Sequence, residues 1–283
     1  MAELIVAFDL PSGSEALALA ARLPGLRWAK VGPVLFNREG PSLVREFTAR
    51  GIRVFLDLKW HDIPNIVASA VSAARELGVS MTTVHCLGGR AMLTAAATAA
   101  GQDLAVVGVT VLTSHDGAEL EGILGRGVPD VGFEAERLAR AALQAGLRGV
   151  VASGQELGLL REALGPEPLI VVPGVRAPGE PAGDQVRTIE PAEAVHRGAT
   201  HLVVGRPITA ARDPVAAYRR LVEALDLGYQ PARCALHGYG CRSAWWRCRF
   251  RSPPRQRCPM RRPGPRPRGP PMMRRASWGK ARR

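Results

Sequence analysis

Lysine is nearly missing from most of this chain. Of its 283 residues, positions 1–228 hold only two lysines, Lys30 and Lys59, beside twenty arginines. Acid is missing from the rest: positions 229–283 carry sixteen of the 38 Lys and Arg residues and none of the 25 Asp and Glu residues. The formal net charge of +13 therefore belongs to the tail, while 1–228 stands at −3, with 22 basic residues against 25 acidic ones. That balance excludes a basic nucleic-acid-binding body. Cysteine is scarce in the same region, where only Cys86 occurs, so there is no disulfide framework and a reducing cytoplasm is expected. No run of apolar residues is long enough to span a membrane, and the first residues lack the basic and apolar regions of a signal peptide.

A surface this biased toward arginine has little use for lysine as a solubilising charge. Lysine differs from arginine in being compact and able to give up a proton. Lys30 and Lys59 both end apolar strand-like runs, so chemistry is the stronger reading for them and chance survival the weaker.

Apolar, β-branched runs recur at 4–8, 27–31, 54–58, 81–85, 105–111, 149–152, 169–172 and 201–204. Between and after them lie Ala/Leu/Arg-rich segments with helical spacing, at 14–23, 41–50, 64–77, 90–100, 133–145, 155–164, 191–197 and 214–225. Eight such units in about 225 residues predict a (β/α)8 TIM barrel. A doubly wound open sheet usually has fewer strands, and the G-x-G-x-x-G of a dinucleotide fold is absent after the first one.

In such a barrel the site lies at the C-terminal ends of the strands. Around that mouth the sequence places Asp9, Lys30, Asp57 with Lys59, His85, Thr113 with Ser114, Ser153, Pro173 to Arg176, and Gly205-Arg206. The densest stretch is Arg53-Val-Phe-Leu-Asp-Leu-Lys-Trp-His-Asp-Ile-Pro-Asn-Ile66. Strand alternation puts Asp57 and Lys59 on one face, Asp62 follows just past the strand, and Pro64 suits the first turn of a helix. A solvated salt bridge at a strand end is the plainer explanation for this triplet taken alone. The long Gly/Pro-rich loop at 173–185 reads as a lid. Gly205 and Arg206 after the eighth strand suit a phosphate dianion, where a structural ion pair for Arg206 is the alternative.

Residues 229–283 break the pattern. Their Arg, Pro and Gly content cannot build a core. Cys234, Cys241, Cys248 and Cys258 lack the paired close spacing of a zinc site. Disorder or an out-of-frame extension is preferred to RNA binding through Arg and Trp245-Trp246. The expected organisation is a catalytic barrel at 1–228 and a disordered basic tail at 229–283.

Taken together, these residues resemble the orotidine 5′-phosphate decarboxylase family over about 4–225. The most specific stretch is Asp57-Leu-Lys-Trp-His-Asp-Ile-Pro-Asn65. Ala7-Phe-Asp9, Lys30-Val-Gly32, Val109-Thr-Val-Leu-Thr-Ser114, Pro173-Gly-Val-Arg176, Gly183-Asp-Gln185 and Val204-Gly-Arg206 support it. A lone D-x-K-x-x-D is shared with metal-dependent sugar-phosphate decarboxylases and aldolases of the same superfamily, which remain the alternative. The resemblance implies conversion of orotidine 5′-phosphate to UMP in pyrimidine biosynthesis, with no metal and no organic cofactor. It implies Lys59 as the proton donor to C6, flanked by Asp57 and Asp62, with Lys30 in the charged relay. It also implies that Asp9 and Lys30 meet the ribose, Ile63 and Pro64 border the substrate, and Thr113 meets the pyrimidine. Arg176, Gln185, Gly205 and Arg206 would hold the phosphate. A homodimer is implied, with Asp62 entering the partner's site. Ile66 departs from the family's usual Thr and puts ribose affinity in doubt.

Overall fold

The computed structural model describes residues 2–176 and 187–228. Gln185, most of the loop at 173–185 and the tail at 229–283 lie outside the described residues. Eight parallel strands close into a barrel in sequence order. They are β1 Glu3–Ala7, β2 Trp28–Val31, β3 Arg53–Trp60, β4 Met81–His85, β5 Ala105–Val109, β6 Gly149–Val151, β7 Leu169–Val172 and β8 His201–Val204. Closure is made by β1 and β8, with Glu3 opposite His201 and Val6 opposite Val204. The expected (β/α)8 barrel is thus the fold.

Period-2 alternation sorts the strand side chains into two cores. Ile5, Ala7, Trp28, Phe55, Met81, Ala105, Val107, Val171 and Val203 fill the barrel interior. Leu4, Val6, Ala29, Val54, Leu56, Val84, Val106, Val150, Ile170, Leu202 and Val204 pack outward against the helices. The inward set continues up β1, β2 and β3 into Asp9, Lys30 and Asp57, so the same alternation that builds the core aims charge at the mouth. Gly149 lies on the inward set of β6. A Cβ there would stand 2.1 Å from the Leu169 carbonyl oxygen, so no side chain fits.

The outer layer begins with α1 Gly13–Arg22, α2 Pro33–Ala49, α3 Pro64–Glu76, α4 Gly89–Ala100, α5 Gly117–Leu124 and α6 Val131–Gln144. It continues with α7 Leu157–Leu164, α8 Pro191–His196, α9 Arg206–Thr209 and α10 Pro214–Gly228. Several boundaries differ from those read in the sequence. The helix expected at 41–50 starts at Pro33 and is broken at Gly40, whose φ of 63° interrupts the spiral just before Pro41. The unexpected α5 is announced by Asp116, whose carboxylate accepts the Glu119 N–H at 2.9 Å, an Asp-x-x-Glu helix start. The expected strand ending at Leu58 runs on to Trp60. No helix among the described residues is long and apolar enough to cross a membrane.

Candidate active site

The C-terminal mouth opens into a cavity of about 540 Å³. A row of alternating charge crosses one wall. Lys30 Nζ donates to Asp9 Oδ1 and Oδ2 at 3.1 and 3.3 Å. The same nitrogen lies 3.8 Å from Asp57 Oδ2. Lys59 Nζ donates to both Asp57 oxygens at 2.9 and 3.0 Å. Lys30 and Asp57 are each only 8% exposed, so they stand as a paired, hydrogen-bonded charge cluster in a largely desolvated wall. A Cβ at Gly32 would fall 2.9 Å from Asp9 Oδ1 and 3.1 Å from Lys30 Nζ, so a side chain there would displace the charged ends of this row.

Alternation puts Lys59 on the inward side with Asp57, and a bulge sets its backbone. The β3–β4 register runs from Leu56 opposite Thr82 to Trp60 opposite Val84, so three residues of β3 face Thr83 alone. Within this bulge Lys59 takes a φ of 50°, the one left-handed backbone of a non-glycine residue among those described. Thr83 fills the bulge. Its hydroxyl accepts the Lys59 N–H at 2.8 Å and donates to Asp57 Oδ1 at 3.0 Å. The sequence reading did not single out Thr83. The signal was available, since it stands two residues after the inward-facing Met81 on β4.

Thr113, Ser114, Pro173, Gly174, Arg176, Gly205 and Arg206 also line the cavity. A Cβ at Gly205 would make only ordinary contacts, at 3.5 and 3.7 Å from Ala7 atoms. What that glycine leaves open is therefore the cavity itself. Two residues expected at the mouth are turned away from it. The His85 ring caps a turn, accepting the Leu87 N–H at 3.4 Å, and stacks on His61 with centroids 5.4 Å apart. Burial, and then the neighbouring His61, His115 and Lys59, lower its pKa. The Ser153 hydroxyl caps the turn at Gly154–Glu156 instead of facing the cavity.

Asp62, Ile63, Pro64 and Ile66 are exposed at the start of α3 and do not line the cavity of this single chain. The Asp62 carboxylate accepts the Ile63 N–H at 2.6 Å. Gln185 lies outside the described residues.

Comparison with known proteins places the chain in a family. A sequence profile described as "Orotidine 5'-phosphate decarboxylase / HUMPS family" matches residues 2–221. A protein of Halorhodospira halophila named orotidine 5′-phosphate decarboxylase is 54% identical over 219 residues, spanning 76% of this chain and 92% of that protein. One of the same name from Alkalilimnicola ehrlichii is 50% identical over 222 residues, spanning 77% of this chain and 94% of that protein. The crystal structure of orotidine 5′-phosphate decarboxylase from Lactobacillus acidophilus superposes with a TM-score of 0.71 at 34% identity. It covers 80% of this chain and 100% of that one. With a matching profile over most of its length and relatives this close, the chain belongs to the orotidine 5′-phosphate decarboxylase / HUMPS family.

Proposed function

We infer that this chain decarboxylates orotidine 5′-phosphate to UMP in pyrimidine biosynthesis, with Lys59 donating the proton to C6 of the pyrimidine. One observation carries the assignment of roles. The row Asp9–Lys30–Asp57–Lys59 occupies the β1–β3 side of the cavity, while Arg176 and Arg206 line it after β7 and β8. In a closed eight-stranded ring β7 lies four strands from β3, on the opposite side. A nucleotide laid across the mouth can therefore set its phosphate on arginines while its base meets the lysine.

The C6–carboxylate bond breaks and CO₂ leaves without the bonding pair. That pair, localised at C6, takes a proton from the Lys59 ammonium, and the amine regains a proton from solvent. Asp57 and Thr83 hold the lysine in place before the charge develops, which is electrostatic preorganisation. Asp57 also sets like charge beside the substrate carboxylate. Asp9 and Lys30 meet the ribose hydroxyls and Thr113 the pyrimidine edge. Arg176, Gln185, Gly205 and Arg206 hold the phosphate, whose binding energy, remote from the reacting bond, organises the site.

The working form is a cytoplasmic homodimer in which Asp62, with Ile63 and Pro64, reaches the site of a second copy. Exposure of Asp62, Ile63 and Ile66 in the single chain supports this. The barrel at 1–228 carries all of the chemistry.

Loss of orotidine 5′-phosphate absorbance on mixing, with EDTA present, tests the reaction. Lys59→Ala lowers the rate by at least about 10³, within the range that a positioned proton donor contributes. Retained turnover in that variant refutes the assignment.

A further inference from the structure

Arg187 and Glu156 form a buried ion pair outside the charge row. Arg187 is 7% exposed and Glu156 4%. One guanidinium nitrogen, Nη1, donates to Glu156 Oε1. The other, Nη2, donates to the Leu112 carbonyl at 2.9 Å and approaches the Val111 carbonyl at 3.5 Å. The second Glu156 oxygen accepts the Ser153 N–H at 2.8 Å. One side chain thus grips the segments that follow β5 and β6. Leu112 immediately precedes Thr113, and Val111 through Ser114 all line the cavity.

The segment that carries Arg187 is tied to β7 as well. Val175 and Ile189 form a parallel bridge. The Arg176 N–H donates to the Ile189 carbonyl at 3.0 Å, and the Ile189 N–H reaches the Gly174 carbonyl at 3.4 Å. Gly154, in the turn that presents Glu156, lies so close to Ile189 that a Cβ would stand 2.4 Å from its side chain. Arg176 therefore has its backbone fixed to Ile189, and the residue two before Ile189 is bolted to the support of Thr113.

We propose that the Arg187–Glu156 pair is a positioning device that sets Arg176 in register with Thr113, and so couples phosphate binding to placement of the base. A buried charge pair is a poor way to gain stability, because desolvation offsets most of the attraction. A guanidinium is suited to fixing geometry, because its planar fork holds several acceptors in set directions at once. Here those acceptors belong to two different cavity segments. Neither residue lines the cavity, so neither touches substrate. The proposal rests on the reading that Arg176 and Arg206 hold the phosphate.

The test compares the affinities of UMP and uridine, which differ only in the phosphate, in the full-length protein. The dissociation constant of uridine divided by that of UMP measures how much the phosphate contributes. Arg187→Met lowers this ratio at least tenfold, with a matching rise in KM for orotidine 5′-phosphate, while uridine affinity stays within threefold. Arg187→Lys falls between, because a point charge reaches Glu156 but does not also hold the Leu112 carbonyl. General loosening of the fold weakens both ligands and leaves the ratio unchanged, and that result in folded Arg187→Met overturns the proposal. Should Arg187→Met not fold, Glu156→Gln decides: its ratio falls at least threefold, and an unchanged ratio overturns the idea. Arg206→Ala separates the underlying reading from the proposal. If it leaves the ratio unchanged, the phosphate site is misplaced and the proposal falls with it. If Arg206→Ala collapses the ratio and the Arg187 variant does not, the positioning role alone is wrong.

Discussion

The amide N–H of Lys59 donates to Thr83 Oγ1 at 2.8 Å, across the bulge between β3 and β4. The bond sits where Lys59 holds a left-handed backbone, which costs a non-glycine residue about 1–2 kcal/mol. The same hydroxyl donates to Asp57, so one side chain fixes both the backbone of the lysine and the carboxylate that grips its ammonium.

Thr83→Val removes both bonds with little change of volume. The lysine remains, but its conformation loses support and Asp57 loses one partner. We expect kcat to fall by about tenfold to a hundredfold, in line with about 1.4 kcal/mol per decade for one or two lost hydrogen bonds, with KM changed less than threefold. Steady-state kinetics on the purified variant decide this. A full loss of substrate affinity at normal kcat would mean that Thr83 serves binding instead.

The barrel was legible because alternation and helical spacing report burial, and burial follows directly from side-chain type. Lys30 and Lys59 stood out because positions 1–228 hold no other lysine. The bulge was not legible, since a left-handed lysine is imposed by the β4 register and leaves no local turn signature. The Arg187–Glu156 pair was hidden for a related reason. Its two members are 31 positions apart and follow neighbouring strands, β6 and β7, whose pairing brings them together. His85 and Ser153 show the opposite error: one ends a strand and the other follows one, but their side chains satisfy turn N–H groups and leave the mouth.

The N-terminal end of the barrel supplies a pH prediction. His201 is buried there against Trp28, edge to face at 5.4 Å, with Nδ1 2.9 Å from Thr200 Oγ1. Burial lowers its pKa to about 4, with Arg53 pulling the same way and Glu3 against it. The unfolded chain binds this proton near the ordinary value of 6.5 and the folded chain does not until about 4. Stability from this group is therefore intact above 6.5 and is lost as pH falls toward 4, by up to roughly 3 kcal/mol in total. Glu156, pushed up to about 7 by burial, acts in the reverse sense between 4.5 and 7, so the His201 contribution has to be read as a difference. From pH 5 to pH 7 the urea midpoint should rise more, or fall less, in the parent than in His201→Gln, since both proteins share the Glu156 contribution. Equal pH dependence in both proteins would show that His201 is not buried neutral.

Ile66 is 49% exposed on the first turn of α3, beside Ile63 at 64%. It does not line the cavity of its own chain, so any effect on ribose has to act across a dimer. Ile66→Thr restores a hydroxyl at that turn. We expect KM for orotidine 5′-phosphate to fall about threefold to tenfold, as one added hydrogen bond would give, with kcat within twofold. An unchanged KM would remove Ile66 from any account of binding.

Asp62 tests the dimer directly, because its exposed carboxylate and the cavity of the same chain are not joined in this structure. Lys59→Ala and Asp62→Asn are each expected to be nearly inactive alone. In a mixed dimer, one site pairs the intact Lys59 of the Asp62→Asn chain with the intact Asp62 of the other chain, and the second site has neither. Random reassociation of equal amounts gives half mixed dimers with one working site each, so activity returns to about a quarter of the parent value. If Asp62 serves its own chain, every site in every dimer lacks one group and mixing restores nothing. The outcome depends on which chain supplies the carboxylate, not on how strongly either substitution disturbs the barrel, because both variants are present in equal amounts in either case.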